Sequence, residues 1–197
     1  MTTSIEVHPA TADRWSDVVR VFGRRGDDPS WCWCQRFLRS ETASDDGKTS
    51  SDNRRALFEE ISRAVTPPGL IAYVRGTPVG WTRVAPRDGL RGVRGNRALS
   101  RVLANEDAGV WWVTCFAVAS GSRRSGVGLG LLEAAVRFAR EQGAVAVEGH
   151  PVDVARLHGK RVGGSALFTG TRTMFVQAGF QDVARTHPSR PVMRLLL

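Results

Sequence analysis

The sequence predicts an α/β fold of the mixed (α+β) kind, a single sheet covered by helices. Three observations predict it. Helix and strand periodicities alternate along the chain, and hairpin patterns lie toward both ends. Residues 110–118 are apolar on both faces of a strand and therefore belong in the middle of the sheet. The 197 residues suit one domain, 1–197, with a substantial core.

Each element has its own reason. Ile5 and Val7 alternate with polar neighbours, as a short first strand does. Thr11 is placed to cap a helix whose Trp15, Val18, Val19 and Phe22 share one face, and Gly23 and Gly26 stop it. Trp31-Cys32-Trp33-Cys34 follows, then a polar loop to Ser51. A second helix over 52–65 carries Leu57, Phe58, Ile61 and Val65 on one face until Pro67-Pro68 end it. Runs 70–75 and 79–85 flank Gly76-Thr77-Pro78 as a hairpin. Residues 86–108 read as a long arginine-rich connection. After the buried strand come a helix over 126–142, a strand over 144–148 and an irregular loop over 150–170. A short helix to Ala178 and strands 180–185 and 192–197 close the chain.

Composition narrows the classes. No apolar run approaches the length of a membrane span, and no charged-then-apolar leader opens the chain. Cys32, Cys34 and Cys115 are too few and too oddly spaced for a disulfide framework, so a reducing cytoplasm is the simplest expectation. Cys-x-Cys invites a metal reading. With only Cys115 and the scattered His8, His150, His158 and His187 to complete it, no metal is expected. The formal net charge of +9 is carried almost wholly by arginine. Such charge suits either a polyanionic small ligand or nucleic acid. No arginine–aromatic RNA-reading motif is present, which favours the small ligand.

The most informative stretch is Val113 to Leu132, VTCFAVASGSRRSGVGLGLL, a strand feeding a glycine-rich cationic turn that opens a helix. Amides at a helix N-terminus point outward and carry the positive end of the dipole, which suits phosphate. No Lys follows the glycines as a P-loop demands, and Gly126, Gly128 and Gly130 miss the dinucleotide spacing by one residue. What fits is Arg-x-x-Gly-x-Gly, from Arg123, Gly126 and Gly128. This resembles the acyl-CoA-binding motif of the GNAT superfamily of N-acetyltransferases. Downstream, Met174-Phe175-Val176-Gln177-Ala178-Gly179-Phe180 resembles that family's fourth helix with its closing Gly-Phe pair.

The resemblance implies a mostly antiparallel central sheet with one splayed parallel strand pair. It implies acceptor-side helices over 1–69 and an acyl-CoA-binding core over 70–197. The implied activity is direct transfer of acetyl from acetyl-CoA to a primary amine, on a small molecule or on a protein lysine or N-terminus. Neither membrane nor nucleic acid is an expected partner, and a homodimer stays open. The implied cofactor contacts are the backbone of Phe116, Ala117 and Val118 and the turn Arg123, Arg124, Ser125, Gly126, Val127 and Gly128, with Phe175 beside them. Two rivals stand beside this reading, a CoA-binding module that has lost its chemistry and a basic protein associated with nucleic acid.

Chemistry needs a base, because neutralising a lysine-like ammonium at pH 7 costs about 4 to 5 kcal/mol. Many members of the resembling family place a glutamate early on the central strand, and the corresponding place here is near Trp112. Glu148 is the first candidate here, with an ion pair to an arginine as its alternative; His150 and Asp153 follow. The family's usual acid, a tyrosine, is replaced by Phe175, and the single tyrosine, Tyr73, lies elsewhere. A thiolate leaving group costs only about 2 kcal/mol at pH 7, so transfer without a phenol is expected to be slower but not forbidden. Trp31 and Trp33 are either an aromatic wall for an acceptor or local core. Arg87, Arg91, Arg94 and Arg97 are either solvated or border the cleft. Loop 158–165 is a candidate cover for substrate or the CoA tail.

Overall fold

In the computed structural model, seven strands form one sheet in the order β1-β2-β3-β4-β5-β7-β6. The residues described are 4–23, 32–39, 49–103, 108–157 and 164–197. Trp31, Gly26 and most of loop 158–165 lie outside them. The strands are β1 (Ile5–Pro9), β2 (Gly69–Val74), β3 (Thr77–Pro86), β4 (Val110–Val118), β5 (Ala146–Gly149), β6 (Gln181–His187) and β7 (Arg190–Leu196). Only β4 and β5 pair in parallel; every other neighbour is antiparallel. That is the mixed, mostly antiparallel sheet the sequence led us to expect.

Helices cover both faces. On one face lies α5 (Val127–Glu141), with Val127, Leu131, Leu132 and Ala135 buried, and beside it α6 (Arg172–Gln177). Trp111 and Val113 of β4 and Val147 of β5 complete this core. Gly80 of β3 lets α5 settle, since a Cβ there would stand 2.8 Å from Val127 Cγ1. On the opposite face lie α1 (Trp15–Phe22) and α2 (Ser50–Arg63). Thr49 and Asp52 form a capping box that fixes the start of α2, two residues earlier than the apolar pattern alone suggests.

The described part of the connection, 86–103, is more ordered than expected. It holds two single-turn helices, α3 (Arg91–Arg94) and α4 (Arg97–Ser100), the second capped by the Asn96 side chain. Helices this short carry too few residues to show a period in sequence. Their Leu90, Val93 and Leu99 pack on Trp112 of β4 and Val192 of β7.

Of the two readings of the tryptophan pair, wall or local core, the described member Trp33 takes the second. Trp33 stacks on Phe22 with ring centroids 5.0 Å apart, and Phe22 meets fully buried Trp81 edge-on. Trp15 and Phe58 close the same cluster. The cysteines correct the expectation of a chain without disulfides. Cys34 is bonded to Cys115, which pins the segment 32–39 to the middle of β4.

Candidate active site

The parallel ladder between β4 and β5 is short. It runs Val110↔Ala146, Trp111↔Val147, Trp112↔Glu148 and Val113↔Gly149, and then stops while β4 continues to Val118. The next positions in that register are Thr114 and His150. On its other side β4 meets β3 through Arg83↔Cys115 and Val84↔Val113, so Thr114 is the extra residue of a β-bulge. The Thr82 hydroxyl donates to the Cys115 carbonyl at 2.9 Å, holding the bulge in place. A bulge turns the strand away from its neighbour, and here it falls where the parallel pairing ends.

Beyond the bulge, the β5-side edge of β4 has no strand partner among the described residues, which leaves an opening in the sheet there. The Phe116 N–H donates there to the Phe168 carbonyl at 2.6 Å, and the Val118 carbonyl accepts from Arg123 Nε at 3.2 Å. By the alternation of a strand, the Val118 N–H points the same way. Of the expected backbone contacts, the Phe116 N–H thus has a partner within the chain.

The turn after β4 bends at Ser120–Ser122 and then adopts two left-handed residues, Arg124 at φ 62° and Gly126 at φ 85°. No side chain caps α5, whose first closed hydrogen bond runs from Gly130 N–H to the Gly126 carbonyl at 2.9 Å. The amides of Val127, Gly128 and Leu129 therefore stand at the mouth of the helix. Arg123, Arg124, Ser125 and Gly126 are exposed around them. The Val127 side chain is buried in the core, so only its backbone can serve a ligand. Backbone amides, a helix dipole and guanidinium groups are the kind of donors that suit a diphosphate.

Phe175 is wholly buried. Its ring lies directly behind the end of β5, where a Cβ on Gly149 would stand 2.5 Å from Phe175 Cε1. It also meets Phe116 and Phe180 edge-on. Tyr73 is no substitute for a phenol here: it lies on β2, two strands from β4, and donates to Asp17 at 2.7 Å. Burial, and then that hydrogen bond, push its pKa up.

The three base candidates are all committed to other groups. Glu148 is fully buried, accepting from Arg87 Nη1 at 2.6 Å on Oε2 and from Arg194 Nε at 2.7 Å on Oε1. A carboxylate with both oxygens on guanidinium groups matches the ion-pair alternative for Glu148. His150 contacts Arg190 through Nδ1 at 3.3 Å and Thr186 Oγ1 through Nε2 at 2.7 Å. Because guanidinium can only donate, Nδ1 is the acceptor and Nε2 carries the proton. Burial, with the Arg190 charge second, lowers the His150 pKa to about 4. Asp153 accepts from Arg185 Nη1 at 3.2 Å and has Arg156 and Arg172 close by.

A second ion pair, of a buried arginine and a half-buried glutamate, is not announced by any spacing in the chain. Arg83 of β3 donates from Nη1 and Nη2 to the two oxygens of Glu60 on α2, at 2.6 and 2.7 Å. Gln35 Nε2 adds a bond to Glu60 at 3.2 Å. The available signal was an arginine at an inward position of the otherwise apolar run 79–85. Arg87 is likewise a core residue, while Arg91, Arg94 and Arg97 are exposed. Among the described residues, no group of three or more His, Cys, Asp or Glu gathers as metal ligands do. Among them too, no helix is long and apolar enough to cross a membrane.

The architecture is shared with known structures. The GNAT domain of S. lividans PAT is 17% identical, with 98% of this chain and 90% of that one covered, at a TM-score of 0.58. PaiA N-acetyltransferase from Thermoplasma acidophilum, solved with coenzyme A, is 14% identical over 98% and 99% of the two chains, at a TM-score of 0.54. YncA from Salmonella typhimurium, a putative acetyltransferase solved with its cofactor acetyl-CoA, is 13% identical over 98% and 94%, at a TM-score of 0.55. At such identities the likeness is one of fold. No curated protein matches the sequence. The model of the Acetyltransferase (GNAT) family matches residues 31–163, more than half of the chain. With the interrupted parallel pair, the bulge and the glycine-rich turn in place, the chain belongs to the GNAT acetyltransferase family.

Proposed function

We propose that this protein moves an acetyl group from acetyl-CoA to a primary amine, on a small molecule or a protein, by direct attack in a ternary complex. One observation carries the reading. The uncapped N-terminus of α5, with Arg123 and Arg124 beside it, stands next to a strand whose parallel partner ends at Gly149. The turn from Arg123 to Gly128 holds the diphosphate. The opening-side edge of Phe116 to Val118 receives the pantetheine arm and the acyl oxygen, which takes over the Phe116 N–H from Phe168. Phe175 backs this channel through Phe116 and Gly149 without itself supplying a proton.

In the transfer, the amine nitrogen forms a bond to the acetyl carbon and the carbon–sulfur bond breaks. The amine proton passes to water, since Glu148, His150 and Asp153 all have other partners. Coenzyme A leaves as a thiolate, which at an ordinary thiol pKa near 8.5 needs no phenol. The CoA-binding module without chemistry is the second reading, favoured by Phe175 and by those committed bases. Calorimetry tests the first part: acetyl-CoA binds the folded protein, and reversing Arg123 and Arg124 to Glu weakens it about 100-fold or more. A folded protein that shows no heat with acetyl-CoA, or is indifferent to the reversal, overturns the proposal. Binding without thiol release across a panel of amines supports the second reading.

A further inference from the structure

Two buried side-chain atoms among the described residues have no hydrogen-bond partner, Arg83 Nε and Thr114 Oγ1. They differ in kind. Arg83 has its two terminal nitrogens on Glu60, so its guanidinium is largely satisfied. For Thr114 the hydroxyl is the only polar function, and the residue is 1% exposed. Leaving a buried hydroxyl without a partner costs stability, and valine would fill the same space in this apolar strand without that cost.

The position of Thr114 supplies the reason for a hydroxyl. It is the extra residue of the β4 bulge and the first residue beyond the last parallel pair, Val113↔Gly149. Two residues on, the Phe116 N–H leaves the edge of β4 away from β3 and meets the Phe168 carbonyl. Acyl transfer builds negative charge on the thioester oxygen, and donors fixed in advance around that oxygen lower the barrier most. Phe175 offers none. A threonine hydroxyl ionises far too weakly to hand its proton to a thiolate, so its role is to donate a hydrogen bond and keep the proton.

We propose that the Thr114 hydroxyl donates to the acyl oxygen of the bound acetyl thioester, beside the opening-facing amide of Phe116. As the carbon–nitrogen bond forms and the carbon–sulfur bond breaks, that oxygen gains and then loses charge while Thr114 stays protonated. The inference rests on the acetyl-CoA reading above.

The test compares wild type, Thr114→Val and Thr114→Ser, with hydroxylamine as the acceptor and thiol release measured above the uncatalysed rate. In Thr114→Val, kcat falls about 100-fold, the size seen when one such donor is lost. Acetyl-CoA affinity by calorimetry stays within about threefold, because the bond strengthens only as charge develops. The thermal midpoint of the free protein holds or rises, which a structural hydroxyl would not allow. Thr114→Ser keeps most of the rate. The carbonyl stretch of bound 13C-labelled acetyl-CoA gives a readout independent of turnover: it lies lower in wild type and Thr114→Ser than in Thr114→Val. Equal rates and equal stretches in wild type and Thr114→Val overturn the inference and leave the acetyl-CoA reading standing. A fall in midpoint for both variants overturns it as well, in favour of a structural role. If wild type fails to bind acetyl-CoA, the reading of function fails and this inference with it.

Discussion

The two sides of β4 are built by different means. On the α5 side the site is backbone: helical amides, a left-handed glycine and exposed arginines, all within one continuous stretch from Val118 to Gly130. On the α2 side it is side chains brought from afar, with Glu60 on Arg83 and Glu148 between Arg87 and Arg194. A phosphate site made of consecutive amides tolerates change in most side chains around it. An ion-pair network in the core tolerates almost none, because removing one member leaves the others charged and dry. The first side is therefore expected to fail through affinity, and the second through stability.

Glu148→Gln gives the largest expected effect. It leaves Arg87, which is 0% exposed, without its counter-charge. The loss in unfolding free energy is expected to be about 3–5 kcal/mol, read from urea denaturation. An apolar replacement of both Glu148 and Arg87 should recover much of it, since dry ion pairs give little net stability over good packing. If Glu148→Gln instead folds with near-native stability and loses only turnover, Glu148 is the base after all and the contrast between the two sides breaks.

His150 gives an effect that depends on pH. Burial and the Arg190 charge hold its pKa at about 4, below the ordinary 6.5. Between those values the unfolded chain binds a proton that the folded protein does not. Stability from the neutral ring is therefore complete above about pH 6.5 and is lost as pH falls toward 4, by up to about 3 kcal/mol. Denaturation of wild type and His150→Gln at several pH values between 4 and 7 checks it. The variant should show a flatter acid limb, and parallel curves would place the acid sensitivity elsewhere.

How much was legible follows the same division. The strand, turn and helix from Val110 to Glu141 were readable because local pattern and local physics coincide there: an apolar run, Arg-x-x-Gly-x-Gly, then helical spacing. The hairpin of β2 and β3 was readable for the same reason. Glu148 was visible as a carboxylate at a strand end, but its partners lie 61 and 46 residues away in sequence, and no spacing announces such distances. Thr114 could not be singled out, because a bulge is a mismatch between two strands and one strand's sequence does not contain it. The four-residue helices α3 and α4 are held by the Asn96 cap and by packing on Trp112 and Val192, not by any period of their own. Cys34 and Cys115 lie 81 residues apart, and only the tertiary fold brings them together.

The smallest expected effect separates two glycines of one turn. Gly126 sits at φ 85° with open space around it, the nearest atom to an added Cβ being Ile5 Cδ1 at 3.8 Å. Gly126→Ala therefore meets no clash, and its cost, about 1–2 kcal/mol, comes from forcing an L-residue into the left-handed region. Gly128 lies inside α5 with helical backbone, and an added Cβ meets only Met174 Sδ at 3.0 Å, part of a long flexible side chain. Gly128→Ala exchanges a small shift of Met174 for better helix propensity, which favours alanine by up to about 1 kcal/mol. Urea midpoints of the two variants should thus move apart, down for Gly126→Ala and level or up for Gly128→Ala. Acetyl-CoA affinity should fall further in Gly126→Ala, because its backbone sets the direction of the amides that follow. Equal losses in both variants would mean that side-chain room, and not main-chain shape, governs the turn. The backbone character assigned to the α5 side would then be wrong.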